Sequence, residues 1–398
     1  MTIGGSTAAR ELASLKAWAA QATPITADER AVRLDRARTL IAAAGADALL
    51  VSAGASLRYF AGVPWGATER LVAMLLPVAG DPIFICPRFE QGSLEAVLGV
   101  PGELRLWEED ESPYALVADA MAARGKRRLL LDPQLPYGMA SALAAAGGGL
   151  TLVDGAGVID GCRMIKSAAE LALLAQAKAM TLEVQRRAAL ILTPGIAASE
   201  VIRFIDAAHR ALGATAGSYF CAVQFGKATA FPHGLPGDQR LEEDQLVLID
   251  TGCQIDGYHS DITRTYAFGR VGDEERAIWA IEQAAQQAAF AAVHPGATCE
   301  SIDAAARAVL VKVGLGPDYR LPGLPHRTGH GIGLSIHEPA HLVRGDRTPL
   351  APGMCFSNEP MIVVPERFGV RLEDHFHVTD NGAAWFTEPQ PSIDRPFG

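Results

Sequence analysis

The sequence predicts an α+β protein of two domains, an N-terminal α/β domain over residues 1–160 and an internally duplicated domain over residues 161–398. Three observations carry this expectation. The 398 residues exceed the roughly 100 to 200 of one ordinary domain. Helix and strand signals alternate from residue 26 to residue 154, and further on a segment of the chain recurs in weakened form.

The first element is announced by Thr26-x-x-Glu29, a capping-box pattern ahead of a helix to about Ala43. ADALLVS follows as a buried strand, and LVAMLLPV (71–78), PIFIC (82–86) and RRLLLD (127–132) are short apolar runs of strand length. Segments near 113–123 and 137–146 are long enough for helices. The Gly147–Gly149 run lacks the Lys-Ser/Thr ending of a phosphate loop and reads as a turn. A second capping box, Ser167-x-x-Glu170, opens a long Ala/Leu-rich helix after the connector from Gly161 to Lys166, which sets the domain boundary near residue 160.

Beyond it, TPGIAASEVIRFIDAAHRALG from Thr193 aligns with HPGATCESIDAAARAVLVKVG from His294 at an offset of 101. Each describes a Pro-Gly turn, an amphipathic helix and a C-terminal glycine cap. Duplication of this kind puts helices outside and a strand-rich site between the halves.

A formal charge of -10 excludes the basic footprint of a nucleic-acid or anionic-membrane binder. The N-terminus has no apolar leader core and no run reaches about 18 apolar residues, so a cytoplasmic protein is expected. Six cysteines without a Cys-x-x-Cys pair fit buried free thiols rather than a disulfide scaffold or a structural zinc site. All ten histidines lie at or after His209, which directs the search for chemistry to the second half.

There, the strand LVLID ends in Asp250 and its return strand carries Asp261, with a turn at Gln254–Gly257 between them. A loop at Ile255–Asp256 sets the two carboxylates opposite each other, and a loop at Asp256–Gly257 sets them one diagonal step apart. In both registers the odd separation of eleven keeps them on one face. A second hairpin through Pro365-Glu366-Arg367 sets Glu359 opposite Glu373. Between the hairpins, glycines at 329, 331 and 333 let the backbone pass closely and let His330 point into the same site. Four carboxylates and one imidazole form a donor set for two divalent cations. Because it is oxygen-rich and thiolate-free, Mn²⁺ is favoured, with Co²⁺, Zn²⁺ or Fe²⁺ as substitutes.

These residues resemble the pita-bread metallopeptidases, the family of aminopeptidase P, prolidase and methionine aminopeptidase. LIDTG, SDITRT, GHGIGLSIHE, NEP and VRLED stand in order, and the likeness extends through the connector MIKSAAELALL into an N-terminal domain of the creatinase/prolidase type. The resemblance implies that Asp250 serves one metal and His330 and Glu359 the other, while Asp261 and Glu373 bridge. It also implies that His233, His326 and His337 contact substrate and that Glu359 shuttles a proton. Arg371 either holds the carboxylate cluster or binds a substrate carboxylate. The implied activity is hydrolysis of Xaa-Pro dipeptides by a homodimer whose N-terminal domain serves substrate access and dimerisation. Aminopeptidase P action on longer peptides, a metal-free creatinase-like C–N hydrolase and a non-catalytic peptide-binding module are the alternatives. His341, His375 and His377 match no role and are expected to be structural or exposed. The chain departs from the family after Glu359, where Met361 and Val363 replace the usual glycine and tyrosine, so weaker metal retention is expected.

Overall fold

In the computed structural model, which describes residues 3–18, 22–147 and 149–398, the chain divides into two compact units, Ile25–Arg163 and the remainder. The first described element, α1 (Ala8–Ser14), groups with the second unit, whereas the sequence reading places it in the N-terminal domain. Local contacts supply the reason. Gly4 and Ser6 donate their N–H groups to Ala189 and Leu190 carbonyls at 2.8 and 3.0 Å, Trp18 donates to Leu212, and Glu11 pairs with Arg187 at 2.7 Å.

The α/β unit begins where Thr26 accepts the Glu29 N–H at 3.2 Å and starts α2 (Ala27–Ala43). Glu29 spends a carboxylate oxygen on Arg33 at 2.6 Å. Then follow β1 (Ala48–Ser52), α3 (Ala55–Ala61), β2 (Ala73–Pro77), β3 (Ile83–Pro87), α4 (Gln91–Glu95), β4 (Glu103–Trp107), α5 (Pro113–Ala122), β5 (Arg128–Leu131), α6 (Tyr137–Ala145), β6 (Thr151–Asp154) and α7 (Ala156–Arg163). The six strands form one sheet in the order β4-β3-β2-β1-β5-β6, with β2 antiparallel to both its neighbours and the other pairs parallel. β1, β2 and β3 are buried along their whole length, which is why they read as unbroken apolar runs. The edge strands β4 and β6 do not stand out in the sequence, because exposed Glu103, Thr151 and Asp154 and half-buried Arg105 dilute them. Of the glycine run, Gly148 lies outside the described residues.

The second unit is built twice. Its first half holds α8 (Ala168–Leu190), α9 (Ala198–Leu212), β7 (Ser218–Phe225), β8 (Gln245–Ile255), β9 (Tyr258–His259) and β10 (Ile262–Phe268). Its second half holds α10 (Asp273–Ala291), α11 (Cys299–Lys312), β11 (Gly329–Gly331), β12 (Glu338–Leu342), β13 (Cys355–Asn358), β14 (Met361–Val364), β15 (Phe368–Arg371), β16 (Asp374–Thr379) and β17 (Gly382–Trp385). α8 opens on a complete capping box: Ser167 Oγ accepts the Glu170 N–H at 3.2 Å, and the Glu170 carboxylate accepts the Ser167 N–H at 3.0 Å. The repeat visible in sequence is also a repeat of contacts. Gly195 and Gly296, with φ of 84° and 87°, donate to Leu241 and Leu350, and the bridges Ala197↔Arg240 and Thr298↔Pro349 follow in the same order.

Antiparallel sheets β10-β8-β7 and β12-β11-β13-β16-β17, with the β14-β15 pair, carry the functional side chains. Trp279, Ile302, Phe356, Phe376 and Met361 belong to the apolar core of the second half.

His209 of α9 is wholly buried, its ring nitrogens within hydrogen-bond distance of Thr181 (3.0 Å) and Ser218 (2.9 Å). Burial pushes its pKa from 6.5 down to about 4, against partial opposition from Asp206. Between these values the unfolded chain binds a proton that the native chain refuses, so this residue's contribution to stability is complete above pH 6.5 and declines as pH falls towards 4. Buried carboxylates with raised pKa act in the opposite sense, so the effect is read by difference. Urea midpoints measured at pH 7 and pH 4.5 are expected to show a smaller acid-induced loss in His209→Gln than in the parent; an equal loss would exclude the assignment.

Candidate metal centre

β8 turns back through Asp256 and Gly257, with φ of 47° and 81°, the two positive values that a type I′ hairpin turn requires. This selects the diagonal register of the two that parity allows: Ile255 faces Tyr258, and Asp250 faces Thr263 rather than Asp261. Asp261 stands in the short gap between β9 and β10. Gly252 permits this gap, since a Cβ there would lie 1.9 Å from the Ser260 carbonyl oxygen.

The second hairpin turns at 365–367, pairs Met361 with Arg371, and resumes in the same register where Asn358 pairs with Asp374. Glu359 and Glu373 therefore face each other across an opening in the ladder. Pro360, which has no N–H to donate, sits at that opening. The freed backbone groups go elsewhere: Glu359 N–H donates to Thr328 O at 2.8 Å and Glu373 N–H to Thr263 O at 3.0 Å. Those two bonds draw the second hairpin to β10 and to the segment that carries His330. Gly329 allows the approach, because a Cβ there would lie 2.1 Å from Ser357 O.

The five residues converge. Asp250, Asp261 and Glu373 each offer an oxygen within 4.8 Å of the others; His330, Glu359 and Glu373 form a second such group, and Asp261, His330 and His337 a third. Asp261, His330 and Glu373 are at most 6% exposed. Burial raises the pKa of Asp250, and burial with neighbouring carboxylates raises Asp261 and Glu373 well above the ordinary range. At Glu359 burial also pushes upward, but the hydrogen bond and charge of His330, with His326 and Arg371, bring it down to about 2.

Two features test whether cations suit this set. Asp250 Oδ1 and Glu373 Oε1 are buried with no hydrogen-bond partner among the described residues. Moreover, His330 Nδ1–H donates to Gly331 O at 2.9 Å, which aims Nε2 into the site, 3.0 Å from a Glu359 oxygen. A ring nitrogen and a carboxylate oxygen that close share positive charge, carried by a proton on the ring or by a cation, and the residues present fit divalent cations.

Arg371 is buried and ion-paired with Asp250, and its Nε–H donates to Thr263 Oγ1 at 3.0 Å. Of its two expected roles, the structure shows the contact with the carboxylate cluster. The His337 ring stacks edge-on to His330 at 4.2 Å between centroids, and burial, with the charges of His330 and Arg327, takes its pKa down to about 4. His326 is half-buried and donates from Nδ1 to Arg327 O at 2.7 Å. His233 is exposed, and no hydrogen bond or ion pair among the described residues joins it to the five; its neighbour Pro232 offers a carbonyl to Arg371 at 3.3 Å. His341 faces His330 across β11–β12, His377 packs on Phe386, and His375 is fully buried with its Nε2 at 3.8 Å from Glu373.

Sequence reasoning missed the residues that hold this set. Thr263 Oγ1 donates to Glu373 Oε2 at 2.9 Å, and Ser357 Oγ accepts the His330 N–H at 2.9 Å while donating to Glu359 at 3.1 Å. Arg264, fully buried, pairs with Asp374 at 2.7 Å and donates to Glu373 O at 2.9 Å. The two-residue spacing of Thr263 from Asp261 and of Ser357 from Glu359 was the available signal, and Arg264 offered none of that kind. Met361 and Val363 are buried apolar residues of β14, so no phenol stands at either position.

Residues 172–380 match the model of metallopeptidase family M24, and residues 33–165 match the creatinase/prolidase N-terminal domain. A relative from Mycobacterium tuberculosis named "Probable dipeptidase PepE" is 37% identical over 360 residues, covering 90% of this chain and 94% of its own. The solved dipeptidase PepE from Mycobacterium ulcerans superposes with a TM-score of 0.84 at 35% identity, over 93% of this chain and 99% of that one. An Xaa-Pro dipeptidase from Bacillus anthracis does so with a TM-score of 0.81 at 29% identity, over 92% and 99%. With its creatinase-type N-terminal domain and its duplicated pita-bread domain, this chain belongs to metallopeptidase family M24.

Proposed function

We propose that the chain hydrolyses the peptide bond of Xaa-Pro dipeptides at a centre where Asp250, Asp261, His330, Glu359 and Glu373 hold two divalent cations. The observation that carries this reading is the convergence of four carboxylates and one imidazole, with two buried carboxylate oxygens left without a donor. Among the four carboxylates, Asp261 and Glu373 each belong to two of the three donor groups, as the His330 ring also does, and these two carboxylates would be the ones shared between the cations. The donor set, free of thiolate, favours Mn²⁺ over Zn²⁺. The names of the PepE relatives and of the B. anthracis enzyme support dipeptides, and Xaa-Pro among them.

Bound there, the cations polarise the scissile carbonyl and lower the pKa of water towards neutrality. Glu359, ionised, accepts a proton from the attacking water and delivers it to the imide nitrogen of the departing proline. His337, kept neutral, donates an N–H to the carbonyl oxygen as charge develops there. His326 and His233 position the substrate, and Arg371 keeps Asp250 aimed into the site. With Arg371 so engaged, the substrate carboxylate falls to Arg327. This guanidinium is half-buried, has no hydrogen-bond or ion-pair partner among the described residues, and acts on both His337 and His341.

Replacing Asp261 by Asn is expected to abolish Xaa-Pro dipeptide turnover and to lower the bound metal, measured by elemental analysis, below two ions per chain. Retention of both would overturn the two-metal assignment. For Arg327→Gln, the ratio of kcat/KM on an Xaa-Pro dipeptide to that on its C-terminal amide should fall about 10- to 100-fold, the value of one charged hydrogen bond. A ratio within about twofold of the parent's would remove Arg327 from carboxylate recognition.

A further inference from the structure

The duplication places α8 and α10 at equivalent positions, and each sends one wholly buried glutamine to the strands that carry a carboxylate pair. Gln185 and Gln286 stand at the same offset of 101 that relates the two repeats. Gln185 Nε2 donates to the carbonyls of Ile249 (3.3 Å) and Ile262 (2.5 Å), the neighbours of Asp250 and Asp261. Gln286 Nε2 donates to the carbonyls of Asn358 (3.3 Å) and Leu372 (3.2 Å), the residues just before Glu359 and Glu373. It also reaches Asp374 Oδ2 at 3.2 Å.

Both side chains are 0% exposed. In each, the amide oxygen has no hydrogen-bond partner among the described residues. A buried amide satisfied on one end only is costly, and an aliphatic residue would fill the same volume without that cost. Core packing therefore does not explain two glutamines at equivalent positions. The carbonyls of Ile249, Asn358 and Leu372 belong to the peptide planes that lead into Asp250, Glu359 and Glu373, and that of Ile262 lies one plane beyond Asp261, so each amide sets the separation of two strands where their ligands emerge. Metal ligands must be held to about 0.5 Å, and a donor fork between strands meets that demand.

We propose that Gln185 and Gln286 are a symmetry-related pair of positioning residues, each fixing the spacing of one carboxylate pair for the metal centre. The inference rests on the two-metal reading above. It divides the work of the duplicated unit: each half supplies its own ligand pair and its own clamp.

The test is Mn²⁺ titration calorimetry on the metal-stripped full chain, with Gln185→Leu, Gln286→Leu and the shorter amides Gln185→Asn and Gln286→Asn. Thermal unfolding of the metal-free proteins is followed in parallel. Each Leu variant is expected to bind Mn²⁺ about 10- to 100-fold more weakly, as loss of a group supporting metal ligands does elsewhere, and each Asn variant, whose shorter amide cannot reach both carbonyls, to bind more than about twofold more weakly. A purely structural role predicts lower metal-free stability with Mn²⁺ affinity within about twofold of the parent's, and that result overturns the proposal. If a Leu variant does not fold, its Asn counterpart decides by the same criterion. A parent chain that binds no Mn²⁺ would overturn the metal reading itself, an outcome distinct from a parent that binds and variants that bind equally well.

Discussion

Four carboxylates share one small buried space, and repulsion among them is the constraint that the second unit is arranged to meet. Asp250, Asp261, Glu359 and Glu373 would drive their strands apart if all were charged and alone. Arg371 against Asp250, and His330 against Glu359, offset part of the repulsion. The Arg264–Asp374 pair, both fully buried, anchors the backbone of Glu373 through its carbonyl. Two carboxylate oxygens still lack a donor, and they mark where further positive charge belongs.

The same constraint explains why the ladders open at three of the four carboxylates. A residue inside a regular ladder has its backbone committed to one neighbour, which limits where its side chain can be brought. Asp261 escapes between β9 and β10, while Glu359 and Glu373 escape where Pro360 interrupts pairing. The Glu359 and Glu373 N–H groups find the carbonyls of Thr328 and Thr263, so this opening also ties the hairpin to β10 and to the segment before β11. Duplication lets one solution serve twice, with a helix, a Pro-Gly turn and a buried glutamine repeated at nearly constant spacing.

Much of this was legible in the sequence where the physics is local. The Pro365–Arg367 loop determines a register that continues unchanged from β14–β15 into β13–β16, so the pairing of Glu359 with Glu373 could be counted. For Asp250 and Asp261, counting left two registers open, and the positive φ that Asp-Gly tolerates decides between them. Residues 3–18 were illegible, because their allegiance rests on backbone bonds to α8 and α9 far along the chain. The half-exposed strands β4 and β6 escaped because solvent-facing charges break their apolar pattern.

By itself the sequence determined which five residues gather and in what order, together with the 101-residue repeat and the face each carboxylate shares with its partner. The shared faces follow from the two-residue period of a strand and from short turns. Only the tertiary structure decided that Arg371 goes to Asp250, that Thr263 donates to Glu373, and that Gln185 and Gln286 donate to the strands beside the carboxylates. Most of these contacts join residues from 77 to 121 positions apart, and they exist only once helices and sheets have packed.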